Sequence, residues 1–340
     1  MFGLKELKNA IKITNTTVEC PVRDCSETVP RQRRNFKRLE EFKCPRHNIY
    51  VSPSTFEYEN ELDNVLWKDE IDLDLLRRIR KVKRESRIAR ENSEDAVTWN
   101  VFRFLEKEKL LFGFLSGLTK NTVENPEVIY WSYSQSERDI YSLLREAREE
   151  FETRPQSGSE PDIIVKSDNA LFFIEPKLTA NNNTVLRSKN PLVREKYEIG
   201  GNEWYSQVVG SDFETVAVTE KRYELLRFWL IGSWMAQCLG LKFYLVNLVL
   251  SEKEKDVERA FKKHIEENPR RIFLRVAWED VYQSILDSKS RTIERNRMIG
   301  YFENKTIGYD KNGKLQKAFQ HRGNSCFPNS RAHGEITSRM

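Results

Sequence analysis

The segment SEPDIIVKSDNALFFIEPKLT, residues 159–179, decides both the fold and the site. Its runs PDIIVK and ALFFIEPK are rich in strand-forming residues, and the turn-like SDN between them predicts a hairpin of two short strands. Because side chains alternate along a strand, Glu175 and Lys177 share one face, while the residues flanking Glu175 point into the core. Asp162 begins the partner strand, where sheet twist and the short turn would bring its carboxylate beside Glu175.

Two clustered carboxylates repel each other, and a divalent cation relieves that cost. Mg²⁺, or Mn²⁺ in its place, suits such a cluster, because it is held by one or two carboxylates together with water and phosphate oxygens. The ion would lower the pKa of a bound water, while Lys177 would orient that water or stabilise the transition state. The segment therefore predicts phosphodiester hydrolysis with Asp162, Glu175 and Lys177 at the active centre. Glu160 is the second choice for the place of Asp162.

The surrounding sequence predicts an α/β domain over residues 93–300 with a mixed central sheet flanked by helices. Its elements follow in the order helix, strand, strand, strand, helix, strand. The first helix begins at a Ser93 cap and runs to about Leu118, and EVIYWSY is the first strand. After the hairpin come a long helix that ends at Gly240, the strand KFYLVNLVL and a last helical stretch over about residues 252–268.

This pattern resembles the PD-(D/E)XK nuclease superfamily, through Pro161-Asp162 on one strand and Glu175-Pro176-Lys177 on the next. The resemblance covers roughly residues 93–250 and implies a restriction endonuclease-like fold and a magnesium-dependent deoxyribonuclease, an endonuclease in restriction, defence or repair. It also implies a further metal ligand from the first helix, for which Glu94 is the best candidate and Asp95 the alternative. Pro176 departs from the pattern, because proline is unusual inside a central strand, so the strand is expected to bulge or end there.

Residues 1–65 read as a small module of short strands and turns resembling a zinc ribbon. Three of the five cysteines lie here. Cys20, Cys25, Cys44 and His47 form two short-spaced pairs, and tetrahedral zinc takes this set of thiolate and imidazole ligands. A structural zinc ion would compensate for the small core, whereas the alternative is a set of free cysteines packed as apolar side chains.

The positive charge of the chain lies at its front, since the net charge of +5 is carried within residues 1–90. Residues 66–92 are predicted to form a basic connecting helix, and the loop PRQRRNFKR of the first module is also basic. Dense positive charge favours contacts with nucleic-acid phosphates, with a solvated charged surface as the alternative. The predicted contacts are Arg33, Arg34, Arg77, Arg80, Lys81 and Arg84. Residues 301–340 are predicted to be a polar tail containing one hairpin around DKNGK.

Composition excludes other classes of protein. No apolar run is long enough for a membrane span, and no secretory signal is present, which favours a cytoplasmic protein without a membrane partner. Four histidines leave little material for histidine-based triads, and no glycine-rich phosphate loop is present. The predicted partner is nucleic acid, with DNA favoured. A non-catalytic zinc-stabilised nucleic-acid-binding protein and an RNA-processing nuclease stay open as alternatives, as does the oligomeric state, a homodimer included.

Overall fold

A computed structural model describes residues 6–33 and 35–319 of the chain. The first module contains two small antiparallel sheets with one buried cluster, in which the three cysteines pack beside Val18, Ile49 and Phe56. Its strands are β1 (Thr17–Glu19), β2 (Thr28–Pro30), β3 (Lys43–Cys44), β4 (Ile49–Val51) and β5 (Phe56–Tyr58).

The rest of the described chain alternates helices and strands. Its helices are α1 (Glu70–Val82), α2 (Glu94–Lys107), α3 (Leu111–Thr119), α4 (Ser142–Phe151), α5 (Pro191–Val208), α6 (Tyr223–Leu239), α7 (Val257–Lys262), α8 (Trp278–Asp287) and α9 (Ile293–Asn304). Its strands are β6 (Glu127–Tyr130), β7 (Tyr133–Ser134), β8 (Asp139–Ile140), β9 (Ile163–Lys166), β10 (Ala170–Pro176), β11 (Lys242–Val249), β12 (Arg271–Ala277), β13 (Thr306–Tyr309) and β14 (Leu315–Lys317).

Strands β6 to β12 form one seven-stranded sheet in the order β12-β11-β10-β9-β6-β7-β8. The pairs β10–β11 and β11–β12 are parallel and the others are antiparallel. Leu171 and Phe173 belong to one apolar cluster with residues of α4, α5 and α6, whereas Phe172 and Ile174 belong to another with residues of α2, α8 and α9. The predicted mixed sheet flanked by helices is therefore confirmed, with both sheet faces buried.

The predicted hairpin of the deciding segment is present. Strands β9 and β10 pair antiparallel with Ile163 opposite Ile174. β10 ends at Pro176, as expected for a residue that cannot donate a hydrogen bond to a neighbouring strand. The predicted Ser93 cap is also present, because the Ser93 side chain accepts a hydrogen bond from the backbone nitrogen of Ala96. Gly240, predicted to end the long helix, caps α6 in the left-handed conformation.

Several element boundaries were predicted wrongly. The first helix of the main domain breaks at Lys109, which has a φ of 56°, so that α2 and α3 are separate. EVIYWSY turns back at Trp131 and forms β6 and β7 rather than one strand. Residues 252–268 are helical only in the short α7, and the edge strand β12 was not predicted.

The ends of the chain also differ from the expectation. The basic segment 66–92 is helical only in α1, and residues 83–92 follow the helix as a loop that contains turns. The hairpin around DKNGK is confirmed as β13 and β14, but it is no part of a loose polar tail. The backbone nitrogen of Leu315 donates to the oxygen of Asn9, and that of Ile11 donates to the oxygen of Gly313, both at 2.9 Å. The front module and this hairpin thus pack together, while residues 320–340 lie outside the described residues.

Gly232 marks the closest approach of α6 to the sheet. A Cβ atom built there would lie 2.3 Å from the ring of the fully buried Phe243. We expect Gly232→Ala to destabilise the protein by about 1–2 kcal/mol, because overpacking outweighs the better helix propensity of alanine. Urea unfolding followed by circular dichroism measures the change.

Gly117→Ala on α3 is the matched control, since nothing lies within 4 Å of a Cβ atom at that position. The same propensity gain should there stabilise the protein by about 0.5–1 kcal/mol. Equal effects of the two substitutions would contradict close packing at Gly232.

Candidate active site and candidate metal centre

A groove of about 570 Å³ opens where β9 begins and β10 ends. Continuing the β9–β10 register by one residue sets Asp162 opposite Glu175, and both line this groove together with Lys177 and Glu94. The four residues predicted for the active centre are therefore brought together in one place. The remaining charged residues of the lining are Lys83, Arg84, Glu85, Arg87, Arg90, Asp95, Glu160 and Glu224.

Lys177 lies between two carboxylates. Its Nζ atom is 2.6 Å from Oε1 of Glu175 and 2.9 Å from Oε2 of Glu224. Its backbone nitrogen donates to the oxygen of Leu248, which ties the end of β10 to β11. Burial alone would lower the pKa of Lys177, but Glu175, Glu224 and Asp162 raise it well above its ordinary value. These carboxylates, where ionised, favour the cationic form of Lys177.

The two carboxylates opposite each other are costly to ionise. Burial raises the pKa of Asp162 to about 7, and burial, reinforced by the neighbouring Asp162 and Glu224, raises the pKa of Glu175 well above its ordinary value. Oε2 of Glu175 is buried and has no hydrogen-bond partner among the described residues. A nearby cation would favour the ionised form of such crowded, desolvated carboxylates.

Asp162 is oriented by a tight turn. Trp131 adopts a φ of 44° between β6 and β7, a backbone conformation that a bulky residue rarely takes. Its indole Nε1 donates to Oδ1 of Asp162 at 2.8 Å, and its backbone nitrogen donates to the oxygen of Asp162 at 3.0 Å. The turn thus fixes both the strand end and the carboxylate.

Glu94 has another task in this structure. Its Oε1 atom accepts hydrogen bonds from the backbone nitrogens of Leu178, Thr179 and Ala180, at 2.8, 3.0 and 2.9 Å. Glu94 therefore anchors the turn that follows Lys177, and its role as a metal ligand stays a prediction. Its alternative Asp95 pairs with Lys83, whose Nζ is 3.3 Å away.

Lys83 and Glu224 belong to the site but were not predicted. Nζ of Lys83 lies 4.4 Å from the centre of the Trp131 ring and 3.9 Å from Oε1 of Glu160, the second choice for Asp162. Glu224 lies in the first turn of α6, where an acid is ordinary because of the helix dipole. Neither residue carries a distinctive sequence signal, since Lys83 is one of many basic residues in its segment.

Only one group of three or more Cys, His, Asp or Glu side chains among the described residues has its ligand atoms within 4.8 Å of one another. That group is Cys20, Cys25, Cys44 and His47, not the carboxylates of the groove. With Lys177 lying between Glu175 and Glu224, an ion in the groove would require the side chains to move closer together.

The Cys20, Cys25, Cys44 and His47 group could hold a metal ion such as zinc. Zn–S and Zn–N bonds of about 2.3 and 2.0 Å imply roughly 3.8 Å between two thiolates and 3.5 Å between a thiolate and an imidazole in a tetrahedral site. The Cys25 and Cys44 sulfurs are 3.9 Å apart, and Nδ1 of His47 is 3.5 Å from the sulfur of Cys44 and 3.7 Å from that of Cys20.

The surroundings of this group suit a metal. Burial raises the pKa of the Cys20 and Cys44 thiols and lowers the pKa of His47, which keeps the imidazole neutral. A bound cation would favour the thiolates. Nζ of Lys8, which the sequence reading did not single out, donates to the backbone oxygens of Cys20 and Cys25 and so holds the first ligand loop.

The six residues predicted to contact nucleic acid are spread over the surface. Arg84 lines the acidic groove, and Arg33 lines a second groove on the front module. Arg77 and Arg80 pair with Asp74 and Glu61 at 3.6 and 2.6 Å, which offsets their charge. Lys81 is exposed, and Arg34 lies outside the described residues.

Asp162→Asn is expected to stabilise the metal-free protein at pH 8. The raised pKa means that the folded state binds the Asp162 proton more tightly than the unfolded state does, so ionisation costs stability as the pH rises from about 4 to about 7. The variant avoids that cost and can still accept the Trp131 hydrogen bond. We expect a gain of about 1–3 kcal/mol at pH 8 that shrinks below pH 7 and disappears near pH 4.

Urea unfolding of both proteins without added divalent metal, at pH 4, 6 and 8, checks this expectation. A variant less stable than the parent protein at pH 8 would show that the carboxylate supports the fold instead of straining it.

No protein-family model, no curated protein and no solved structure matches this chain. Among the described residues, no helix is both long and apolar enough to cross a membrane. Function therefore has to be inferred from the chemistry of the groove and of the cysteine and histidine group.

Proposed function

We propose that this protein is a metal-dependent nuclease of the PD-(D/E)XK type that hydrolyses phosphodiester bonds. DNA is the favoured substrate. The proposed role is that of an endonuclease in restriction, defence or repair. The observation that carries the proposal is the convergence of Asp162, Glu175 and Lys177 at adjacent strand ends, in an open groove. Two desolvated carboxylates beside a lysine could hold a metal ion and offset charge on a phosphate, which are the contributions that metal-assisted hydrolysis of a phosphodiester uses.

The residues divide the work by their charge. Asp162 and Glu175 would hold Mg²⁺ or Mn²⁺, and Oε2 of Glu175 is the oxygen without a hydrogen-bond partner among the described residues. When bound, such an ion lowers the pKa of a coordinated water and offsets the charge on the phosphate. Trp131 keeps Asp162 directed into the groove, and the turn held by Glu94 keeps Lys177 at the end of β10.

Lys177 acts as a fixed cation. Its raised pKa favours the ammonium form, which would stabilise negative charge on a phosphate oxygen or orient the attacking water. Glu175 and Glu224 hold the ammonium group in place before substrate binds.

The edge of the groove suits a polyanion. Arg84, Arg87 and Arg90 line it and pair with Glu160, Glu85 and Glu57, and arginine matches the geometry of the phosphate oxygens that would replace these carboxylates. Contacts of this kind position a nucleic acid without reading its sequence. They supply the substrate affinity that the acidic centre of the groove would otherwise oppose.

We infer that the Cys20, Cys25, Cys44 and His47 group binds zinc in a structural role. Four protein ligands close the tetrahedral shell, which leaves no position for a catalytic water. The ion would cross-link the loop before β2, the strand β3 and the turn after it. A module with so small an apolar cluster gains much of its stability from such a bond.

A non-catalytic nucleic-acid-binding protein is the second candidate. It is favoured by the ion pairs of Lys177 with Glu175 and Glu224, and by the absence of a compact three-carboxylate group among the described residues. The same cleavage experiment separates the two candidates, and RNA substrates in it address the RNA-processing alternative.

Cleavage of linear, circular and single-stranded DNA and of RNA, with Mg²⁺ or Mn²⁺, tests the proposal. Lys177→Ala and Asp162→Asn should each lower the rate by about 10²–10³-fold, because each removes charge that acts on the transition state. Asp162→Asn is the sharper variant, since it is expected to be more stable than the parent protein. Lys263→Ala, an exposed lysine on the loop after α7, serves as the control and should cleave normally.

Metal-dependent cutting that survives both active-site substitutions would place the chemistry elsewhere. No cutting of any substrate by the parent protein under these conditions would favour the non-catalytic candidate.

Zinc content gives an independent test of the front module. We expect about one zinc ion per chain by atomic emission, and Cys20→Ser should lose it and lower the melting temperature, because a structural zinc site supplies folding energy. Cys238→Ser is the matched control, since Cys238 is exposed on α6, and it should change neither quantity. Equal zinc in the Cys20 variant and the parent protein would refute the assignment.

A further inference from the structure

A second groove, of about 870 Å³, lies on the front module. It runs between the loop after β2 and the turn that joins β4 to β5. The described residues that line it include no Asp or Glu, in contrast to the first groove. They are Asn15, Arg31, Gln32, Arg33, Phe36, Ser52, Pro53, Ser54, Thr55 and Arg90. A concave surface of guanidinium, amide and hydroxyl groups without carboxylates has the chemistry of an anion site.

Two of the three arginines of this groove contact no carboxylate in the part of the chain that the structure describes. Arg31 donates to the backbone oxygen of Thr14, and Arg33 donates to that of Asn15, so each contacts a neutral acceptor. Arg90 is different, because its Nε and Nη2 atoms both lie 2.9 Å from Oε1 of Glu57. Two arginines of the groove are thus available to a phosphate group without first breaking an ion pair that the structure shows.

Thr55 gives a second, independent sign of a ligand. The residue is 6% exposed, and its Oγ1 atom is buried without a hydrogen-bond partner among the described residues. Its backbone is already held by Ser52, whose hydroxyl and nitrogen both donate to the oxygen of Thr55. Buried hydroxyls are normally paired, so an unpaired one in the lining of a basic groove points to an absent partner.

Arg90 connects the two grooves. It lines both of them, and its guanidinium carbon lies 5.2 Å from the centre of the half-buried Phe36 ring. The two grooves are therefore adjacent, and a strand that passes over Arg90 would reach from one to the other. An aromatic ring stands at that junction.

We propose that the second groove binds the single-stranded part of a nucleic-acid substrate as it leaves the active-site groove, with Arg31, Arg33 and Thr55 on its phosphates and a base against Phe36. This inference rests on the proposed nuclease function. Proteins that bind single strands combine a basic groove with aromatic stacking surfaces. A duplex keeps its bases stacked inside the helix, so it could use the arginines but not the ring.

Binding measured without cleavage tests the inference separately from catalysis. Fluorescence anisotropy is recorded with labelled DNA of about 20 nucleotides, longer than the roughly 4–16 that one such groove covers, as a single strand and as a duplex. Ca²⁺ replaces Mg²⁺, and no chelator is added, so that the front module keeps any bound metal. The variants are Thr55→Val, Arg33→Gln and Phe36→Leu, with Arg259→Gln, an exposed arginine on α7, as the control.

We expect Thr55→Val to weaken single-strand binding about tenfold, because a hydrogen bond to a charged phosphate is lost, without lowering the melting temperature. Arg33→Gln should reduce the slope of log affinity against log salt by about 0.7, the value for one single-strand phosphate. Phe36→Leu should weaken single-strand binding about tenfold and leave duplex binding unchanged. Arg259→Gln should bind normally.

Unchanged single-strand affinity in the Thr55→Val and Phe36→Leu variants would overturn the inference. An equal loss for duplex and single strand in Phe36→Leu would also overturn it, because the ring would then serve a duplex or the fold. If the groove variants weaken binding but no protein cleaves nucleic acid, the proposed hydrolysis is refuted and the proposed binding site is supported. If the parent protein cleaves nucleic acid but the groove variants bind normally, only the proposed binding site is refuted.

Discussion

The pairing of β9 with β10 is the constraint on which the site depends. Their register sets Asp162 opposite Glu175 at the end of a sheet whose two faces are otherwise apolar. Ionised carboxylates are strongly disfavoured in such surroundings, and burial accordingly raises the pKa of both. The structure relieves this cost only in part: Trp131 donates to Asp162 and Lys177 donates to Glu175, but one oxygen of Glu175 has no partner among the described residues. Burying these two carboxylates lowers the stability of the folded protein, and such a loss of stability is common where a protein keeps charged groups for a function.

Neighbouring elements are arranged around this strained pair. Trp131 bonds to Asp162 from an unusual turn, and Lys83, at the end of α1, lies over the same indole ring while pairing with Asp95. Glu94, at the start of α2, collects three backbone nitrogens of the turn after Lys177. Groups that are themselves held by hydrogen bonds and packing can keep a site within the narrow geometric limits that chemistry requires. The resemblance implies a metal ligand from helix α2. In this structure Glu94 of α2 holds the turn that follows Lys177.

The front module and the end of the described chain form one unit with the main domain. The hairpin of β13 and β14 contacts the loop that precedes β1, and Tyr309 joins the buried cluster of the cysteines. Nearby, the fully buried Lys305 lies beside Glu91, whose other oxygen accepts a hydrogen bond from Tyr58 of β5. A buried ion pair of this kind fixes a geometry more than it adds stability. Glu91 is adjacent to Arg90, which lines both grooves. The Lys305–Glu91 ion pair therefore also fixes the position of the front module's groove relative to the acidic groove.

The sequence by itself determined the hairpin, its strand faces, the set of cysteines and histidine that could hold a metal, and the mixed sheet between helices, because these follow from local alternation, turn residues and ligand spacing. The contacts between residues far apart in the chain were decided only by the tertiary structure. Glu224 reaches the first groove from α6, and Lys83 reaches it from the end of α1. Arg90 lines both grooves. Glu94 accepts hydrogen bonds from three backbone nitrogens of the turn after Lys177. The broken helix at Lys109 and the edge strand β12 belong with these, since packing and strand pairing override local pattern there. Side chains of ordinary type acquire a role only when folding brings charges from separate segments into the same low-dielectric space, and no spacing along the chain encodes that distance.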